Sequence, residues 1–485
     1  MIPRVRTLWL AGALGLAGLS APTSVAEADS KSGYALVVST ATHANPAWRE
    51  VVEALAGRHQ AQVLVVDSLT AGVQPLLRAL QPRFLCLVAR PEEVTRQWVA
   101  EIHQLSRRLD DDPYPDCFWG ILTGYDAANA LRIARHHEPL TVRKVASGTE
   151  VALDACEEGV WYCELQQGRM VRKEKGGEPA RLTAPPDTTE ALVNSLNEYQ
   201  ADLFVTSGHA TERDWQIGFA YPNGTFRCEN GALYGLDTQG RRLPVQAPEA
   251  RVYLPIGNCL MGHIDSTNAM ALAFLNSAGV NQMIGYTVPT WYGYMGWGML
   301  DYFVEQPGRF TMSEAFRANA IALTHRLQTF FPDLVDAETT PGVIGRTPIK
   351  PGDAARQAGL TAQDARGLLF DRDVVAFYGD PAWQARMADR PKAWNQSLRR
   401  VDDVYTFECT PNRGDQSFEP VNRNGVQRGY RPIIEFFPRR LTGVQILEGA
   451  ELKPVIADDF LLLPQPRPTD SQPRYRVRFR AQPAG

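Results

Sequence analysis

The chain alternates short runs of consecutive apolar residues with longer stretches whose apolar positions recur every three or four residues. That is the pattern of buried strands joined by amphipathic helices. Tyr34 to Ser39 is the first run, followed by a helical stretch from Pro46 to Ala56 and a second strand at Val63 to Val66. A helix around Pro75 to Leu80 leads into the run Phe84 to Val88, and Glu92 to Leu109 has helical periodicity. Because the runs are continuous rather than alternating, each strand is predicted to be covered on both faces, as in a mostly parallel sheet flanked by helices. The rhythm breaks between residues 145 and 190, a polar, Gly- and Lys-rich stretch that reads as an insertion or inter-lobe loop with a hairpin through Val160 to Glu164. It resumes with a helix from Thr188 to Tyr199 and the strand Leu203 to Val205. The strand Val252 to Ile256, a helix Asn268 to Ser277, the strand Gln282 to Ile284 and a helix Met312 to Leu327 follow. Between Trp215 and Leu243 the sequence turns to short strands, and Asn223-Gly224 predicts a type I′ hairpin turn.

From Val401 onward short β-rich runs take over, at Tyr405 to Glu408, Ile433 to Phe437, Gly443 to Leu447 and Tyr475 to Phe479, separated by Pro, Gly and Asn. With 485 residues the chain is long enough for more than one core. The predicted organisation is an N-terminal α/β lobe over 34–150, a second α/β lobe over 190–390 and a small all-β, sandwich-like domain over 401–485.

The N-terminus changes the compartment. Arg4 and Arg6 precede an apolar run from Leu8 to Leu19, and small residues at Ser24 and Ala26 suit a signal peptidase, so residues 1–26 read as a signal peptide. The run is shorter than the ~20 residues a membrane-spanning helix needs. An exported protein is expected, periplasmic, extracellular or at the cell surface, with no stable membrane span once the signal is removed. Removal shifts the net charge from −4 to −6, since two arginines and no acids leave with it, which argues against nucleic acid as a partner. Seven cysteines allow up to three disulfides and leave one thiol. Cys86, inside Phe84 to Val88, reads as a buried strand residue.

Two segments share one design, in which an apolar strand runs into a small-residue turn that presents a reactive side chain. They are Leu203-Phe204-Val205-Thr206-Ser207-Gly208-His209 and Val252-Tyr253-Leu254-Pro255-Ile256-Gly257-Asn258-Cys259. Adjacent parallel strands end at one carboxyl edge, where α/β sheets place their ligands, so His209 and Cys259 are predicted to meet there as a dyad. A thiolate is a strong nucleophile, and an imidazole beside it handles protons. The glycines Gly208, Gly257 and Gly262 would admit a substrate backbone, and the N–H groups of Ala210 and Cys259 are candidate oxyanion donors.

At these residues the sequence resembles the gingipain branch of the caspase-like cysteine peptidases. His209-Ala210-Thr211-Glu212 with Trp215 is similar to the family's His-Gly-Ser-Glu segment, and Asn258-Cys259-Leu260-Met261-Gly262 is similar to its Ala-Cys-x-x-Gly. Ala210 stands where the family has glycine; it keeps the N–H donor, adds a methyl and disfavours positive φ. The stretch Ile284-Gly285-Tyr286-Thr287 leading to Trp291 is similar to the one whose tryptophan lines the family's specificity pocket, and Tyr378-Gly379-Asp380-Pro381-Ala382 to its closing Gly-Asp-Pro. Asp112 looks like the acid that receives a basic substrate side chain, although Ile121 stands where the family's arginine follows the next glycine. The resemblance covers roughly 34 to 390 and implies a caspase-like fold, cleavage of protein or peptide substrates through Cys259 and His209, substrate contacts at Trp291 and Asp112, no required cofactor and room for structural calcium.

Two other functions stay open on the residues. One is an inactive, gingipain-like protein that binds a peptide or a cell-surface ligand. The other is a zinc hydrolase, since Cys259, His263 and Asp265 lie in one short stretch with His209 elsewhere. The aromatic cluster Trp291, Tyr292, Tyr294 and Trp297 reads either as a groove lining or as core.

Overall fold

The computed structural model describes residues 33–67, 72–345, 348–421, 428–466 and 472–484, so the segment read as a signal peptide lies outside the described residues. Along the chain, β1 (Tyr34–Ser39), β2 (Gln62–Val66), β3 (Phe84–Val88) and β4 (Phe118–Leu122) are followed by β5 (Leu140–Val142) and β6 (Lys144–Ser147). Next come β7 (Glu158–Tyr162), β8 (Arg169–Lys173), β9 (Ala180–Thr183) and β10 (Leu203–Thr206). A four-stranded antiparallel sheet, β11 (Asp214–Gln216), β12 (Thr225–Glu229), β13 (Ala232–Leu236) and β14 (Arg242–Pro244), precedes β15 (Arg251–Pro255), β16 (Val280–Tyr286) and β17 (Val375–Tyr378). A short strand, β18 (Ala385–Met387), pairs with β5.

Twelve of these form one sheet, ordered β2-β1-β3-β4-β17-β16-β15-β10-β6-β7-β8-β9. It consists of two parallel blocks of opposite direction. The strands β2, β1, β3, β4 and β17 run one way, and β16, β15, β10, β6 and β7 run the other, joined by the antiparallel β16/β17 pair. The mostly parallel sheet flanked by helices is thus as predicted. The reason is in the runs themselves: Phe-Leu-Cys-Leu-Val in β3 and Val-Tyr-Leu in β15 are buried along almost their whole length, which requires cover on both faces.

The two α/β lobes are not separated as the sequence suggests. The stretch 145–190 is no inter-lobe loop: it supplies β6 to β9, extends the sheet beyond β10 and forms the β7/β8 hairpin. Both blocks share one continuous core. Asn223-Gly224 is not a hairpin turn either. Neither residue has positive φ; the Asn223 side chain instead accepts from Thr188 N–H at 3.1 Å, and a side chain at Gly224 would strike Thr189. The tight turn of that sheet is Asn230-Gly231, with φ of 50° and 73°, joining β12 to β13 as a type I′ turn does.

The C-terminal part starts at Trp394. The strands β19 (Trp394–Val401), β20 (Val404–Pro411), β21 (Ile433–Phe436), β22 (Leu441–Glu448), β23 (Val455–Ile456), β24 (Phe460–Leu463) and β25 (Tyr475–Pro483) build two antiparallel sheets, β19-β20-β25-β22 and β21-β24-β23. Phe407, Val477 and Phe479 of the first meet Ile433, Leu461 and Leu463 of the second in a sandwich core. The opposite face of β21 and β24, with Ile434, Phe460 and Leu462, joins the main core. That is why Phe-Leu-Leu-Leu in β24 is apolar without alternation. Buried ion pairs add to the seam: Asp301 accepts from the Arg428 and Arg431 Nε atoms, each at 2.9 Å, and Arg317 pairs with Asp459 at 2.7 Å.

Candidate active site

The site starts from a register. β10 and β15 are neighbours in parallel, with Thr206 opposite Pro255, and Ile256 N–H donates to the Thr206 carbonyl at 2.9 Å. Both strands therefore leave the sheet at one edge, ~4.8 Å apart. His209 stands three residues beyond the tip of β10 and Cys259 four beyond that of β15. The turn before His209 is made at Gly208, whose φ of 109° only glycine adopts readily. Leu260, just after Cys259, is left-handed at φ 58°.

One buried amide holds the two turns together. Asn258, with no exposed surface, accepts from the Thr206 hydroxyl at 2.7 Å and donates from Nδ2 to the Gly208 carbonyl at 3.1 Å. Farther out, the same two loops are joined twice more. His263 Nδ1 meets Glu212 at 2.8 Å, and Arg213 forks onto both oxygens of Asp265 at 2.8 Å each. Each pair links a residue just after His209 to one just after Cys259.

These engagements bear on the zinc reading. The Asp265 carboxylate is spent on Arg213, and His263 is spent on Glu212 with the Arg96 guanidinium 3.4 Å from its ring nitrogens. The donor atoms of Cys259, His263 and Asp265 do not gather within 4.8 Å of one another. The structure thus gives that reading no donor set.

Cys259 is half-buried, and its Sγ accepts the Thr290 N–H at 3.2 Å. His209 is exposed, and its ring stacks on Phe219 with centroids 4.5 Å apart and planes 27° from parallel. The two side chains share an edge but are not hydrogen-bonded to each other. The other six cysteines are buried, and all seven are free, so none of the allowed disulfides forms. Burial pushes the thiols of Cys117, Cys156 and Cys409 up to about 12 and that of Cys228 up to about 11. Cys259 alone is open to reagents in solution.

Among the described residues, the backbone N–H groups of Ala210 and Cys259 donate to no protein acceptor. A backbone N–H with no protein acceptor is free to receive an oxyanion. Ala210 has negative φ, so its methyl costs no backbone strain. Gly257 and Gly262 are required by the packing of the fold itself. A side chain at Gly257 would lie 2.5 Å from Ser207 Oγ, and one at Gly262 would lie 2.2 Å from the Gly285 carbonyl oxygen. Trp215 is wholly buried and donates from Nε1 to the Ser207 carbonyl at 2.8 Å, supporting the turn from beneath.

Of the four clustered aromatics, Tyr294 and Trp297 are core, Tyr292 is half-buried and Trp291 is 38% exposed, next to the Thr290 that touches Cys259. Asp112 lies elsewhere. It precedes β4, with β17 and β16 between β4 and β15, and lines a pocket of about 400 Å³ together with Arg107, Arg108 and Arg372. None of Cys259, His209 and Trp291 lines that pocket. Burial and then Asp110 push the Asp112 carboxyl up to about 7.

Sequence reasoning did not single out Phe219, Thr290 or the bridging role of Asn258. For Asn258 a signal existed, since a lone amide between an apolar strand and a cysteine has to be paired if buried. Phe219 and Thr290 reach the site from loops whose paths nothing local foretells.

No protein-family model matches the chain, and no curated protein matches it. Among solved structures, the chain is similar to the Arg-specific cysteine proteinase gingipain R, with a TM-score of 0.42 and 10% identity over 91% of this chain and 94% of that one. It is also similar to a structure described as a protease, with a TM-score of 0.39 and 12% identity over 78% and 84% of the two chains. Likenesses at this level concern chain layout and say nothing of chemistry.

Proposed function

We propose that the protein is an exported cysteine-type hydrolase that cleaves peptide bonds through Cys259 and His209. The observation that carries the reading is one sheet edge presenting the single accessible thiol, an exposed imidazole on the adjacent strand tip, and two vacant backbone donors at Ala210 and Cys259. His209 takes the thiol proton as Cys259 Sγ attacks the carbonyl carbon, and the developing oxyanion takes the two N–H groups. As the C–N bond breaks, His209 passes a proton to the departing amine. Water then attacks the thioester, giving up a proton to His209, and the acid leaves with the thiol restored. Export rests on residues 1–26. Among the described residues, no helix is long and apolar enough to cross a membrane.

The competing reading, a non-catalytic peptide-binding protein, has one observation in its favour: His209 is stacked on Phe219 and not bonded to the thiol. One experiment separates the two. The hydrolase should cleave fluorogenic peptides and be labelled by a thiol-directed peptide inhibitor, with both lost in Cys259→Ala and cleavage lost in His209→Ala. Binding without cleavage on a broad peptide panel, or cleavage that survives Cys259→Ala, sinks the hydrolase.

A further inference from the structure

Several of the exposed large apolar side chains among the described residues lie around the candidate site. Phe219 is 46% exposed and lies on the ring of His209. Leu165, 57% exposed, adjoins it, because the Glu164 carbonyl accepts the Ala220 N–H at 3.0 Å. Trp291, 38% exposed, follows Thr290, whose N–H meets Cys259 Sγ. Val343 and Ile344, 58% and 39% exposed, follow Gly342, which packs on Val288. The Val288 carbonyl in turn accepts the N–H of Leu260, next to Cys259. Exposed apolar groups thus stand beside His209 and next to the backbone contact of Cys259, and such grouping marks a surface suited to being covered.

The charges around it point the same way. Glu212 and Asp265, the acids that follow His209 and Cys259, are committed to His263 and Arg213. Burial pushes the Glu164 carboxyl up, away from its charged form. Asp112, the residue expected to receive a basic side chain, lines another pocket, with Asp111, Asp336, Glu338 and three arginines, that none of Cys259, His209 and Trp291 reaches.

We infer that the substrates are peptides with aromatic or branched aliphatic residues next to the scissile bond, and not basic ones. This rests on the hydrolase reading, and its test keeps the two apart. Peptides carrying Phe, Leu, Ala, Lys or Arg on either side of the bond are assayed with the wild type and with Trp291→Ala, Leu165→Ser, Val343→Ser and Asp112→Asn. The three rim positions are exposed, so these variants should fold. Phe and Leu peptides should exceed Lys and Arg peptides in kcat/KM by at least about tenfold, the scale of apolar pocket discrimination, and rim variants should shrink that ratio. Preference for Lys or Arg that disappears in Asp112→Asn overturns the inference. Should no peptide be cleaved, the hydrolase reading falls and binding decides. Cys259→Ala must then bind a Phe/Leu-rich peptide more tightly than an Arg-rich one of equal length, with the difference reduced by Trp291→Ala; equal binding overturns the inference as well.

Discussion

Replacing Asn258 by alanine should loosen the site and the fold together, by an amount the structure lets one work out. The amide makes two bonds, accepting from the Thr206 hydroxyl at 2.7 Å and donating to the Gly208 carbonyl at 3.1 Å. Thr206 keeps a partner in the Tyr253 hydroxyl at 2.9 Å, but Gly208 is buried and its carbonyl loses this donor. Two net hydrogen bonds of about 1 kcal/mol each, or one bond plus an orphaned carbonyl at about 1 to 3 kcal/mol, give a cost of about 2 to 4 kcal/mol. Urea unfolding of wild type, Asn258→Ala, Thr206→Val and the double variant isolates the bridge, whose coupling should be about 1 kcal/mol or more. Because Gly208 sets the turn into His209, the alanine variant should also lose about 10²-fold in kcat, the scale of a 1 Å misplacement. A stability loss under about 0.5 kcal/mol, or strictly additive effects of the two substitutions, would refute the bridge.

Further outcomes follow from other contacts. Asp301→Ala removes the acceptor shared by Arg428, Arg431 and the Gly429 N–H, and should cost about 3 to 5 kcal/mol in chemical denaturation, the range for breaking a buried charge pair. Glu212→Ala and His263→Ala should be non-additive in a double-mutant cycle and lower kcat more than they raise KM, since they join the two site loops without touching substrate. For pH, Asp112 and Asp116 are raised by burial and then by Asp110, to about 7 and about 9, so the folded state holds more protons than the unfolded one between about pH 4 and 9. Stability should therefore fall as pH rises through that window. Asp110→Asn should lessen the fall, by on the order of 1 kcal/mol at pH 8.5 and little at pH 5, in melts at the two pH values.

The strands that carry the site were legible because each is a continuous apolar run, a local pattern with a local cause. Leu203-Phe204-Val205 and Val252-Tyr253-Leu254 have no exposed face to write into the sequence, and small residues mark where each ends. That His209 and Cys259 leave the sheet at one edge followed from two strands sharing a design. What failed depended on partners far along the chain. β17 is four apolar residues that could have been core anywhere, yet it enters between β4 and β16, some 90 residues after the latter. Of the two Asn-Gly pairs among the described residues only Asn230-Gly231 turns the chain, because Thr189 claims the space at Gly224. The lysine- and glycine-rich stretch was read by composition as a loop, whereas Met170 and Val171 of β8 bury enough surface to extend the sheet.

The reversal between β16 and β17 also decides what Asp112 can do. Since β17 runs against β16, with Val375 opposite Tyr286, and β4 runs with β17, the amino end of β4 lies at the edge where β15 and β10 finish. Asp112 is therefore on the correct side of the sheet. β4, which its loop enters, is nevertheless three inter-strand spacings from β15, or ~14 Å. A single side chain attached at the scissile bond does not span that gap. An extended peptide advances ~3.3 Å per residue, so one crossing that interval along the edge spans about four residues. If the inferred apolar preference holds, selection at the bond itself falls to exposed aromatics such as Trp291, next to the Thr290 that meets Cys259, and Phe219, stacked on His209.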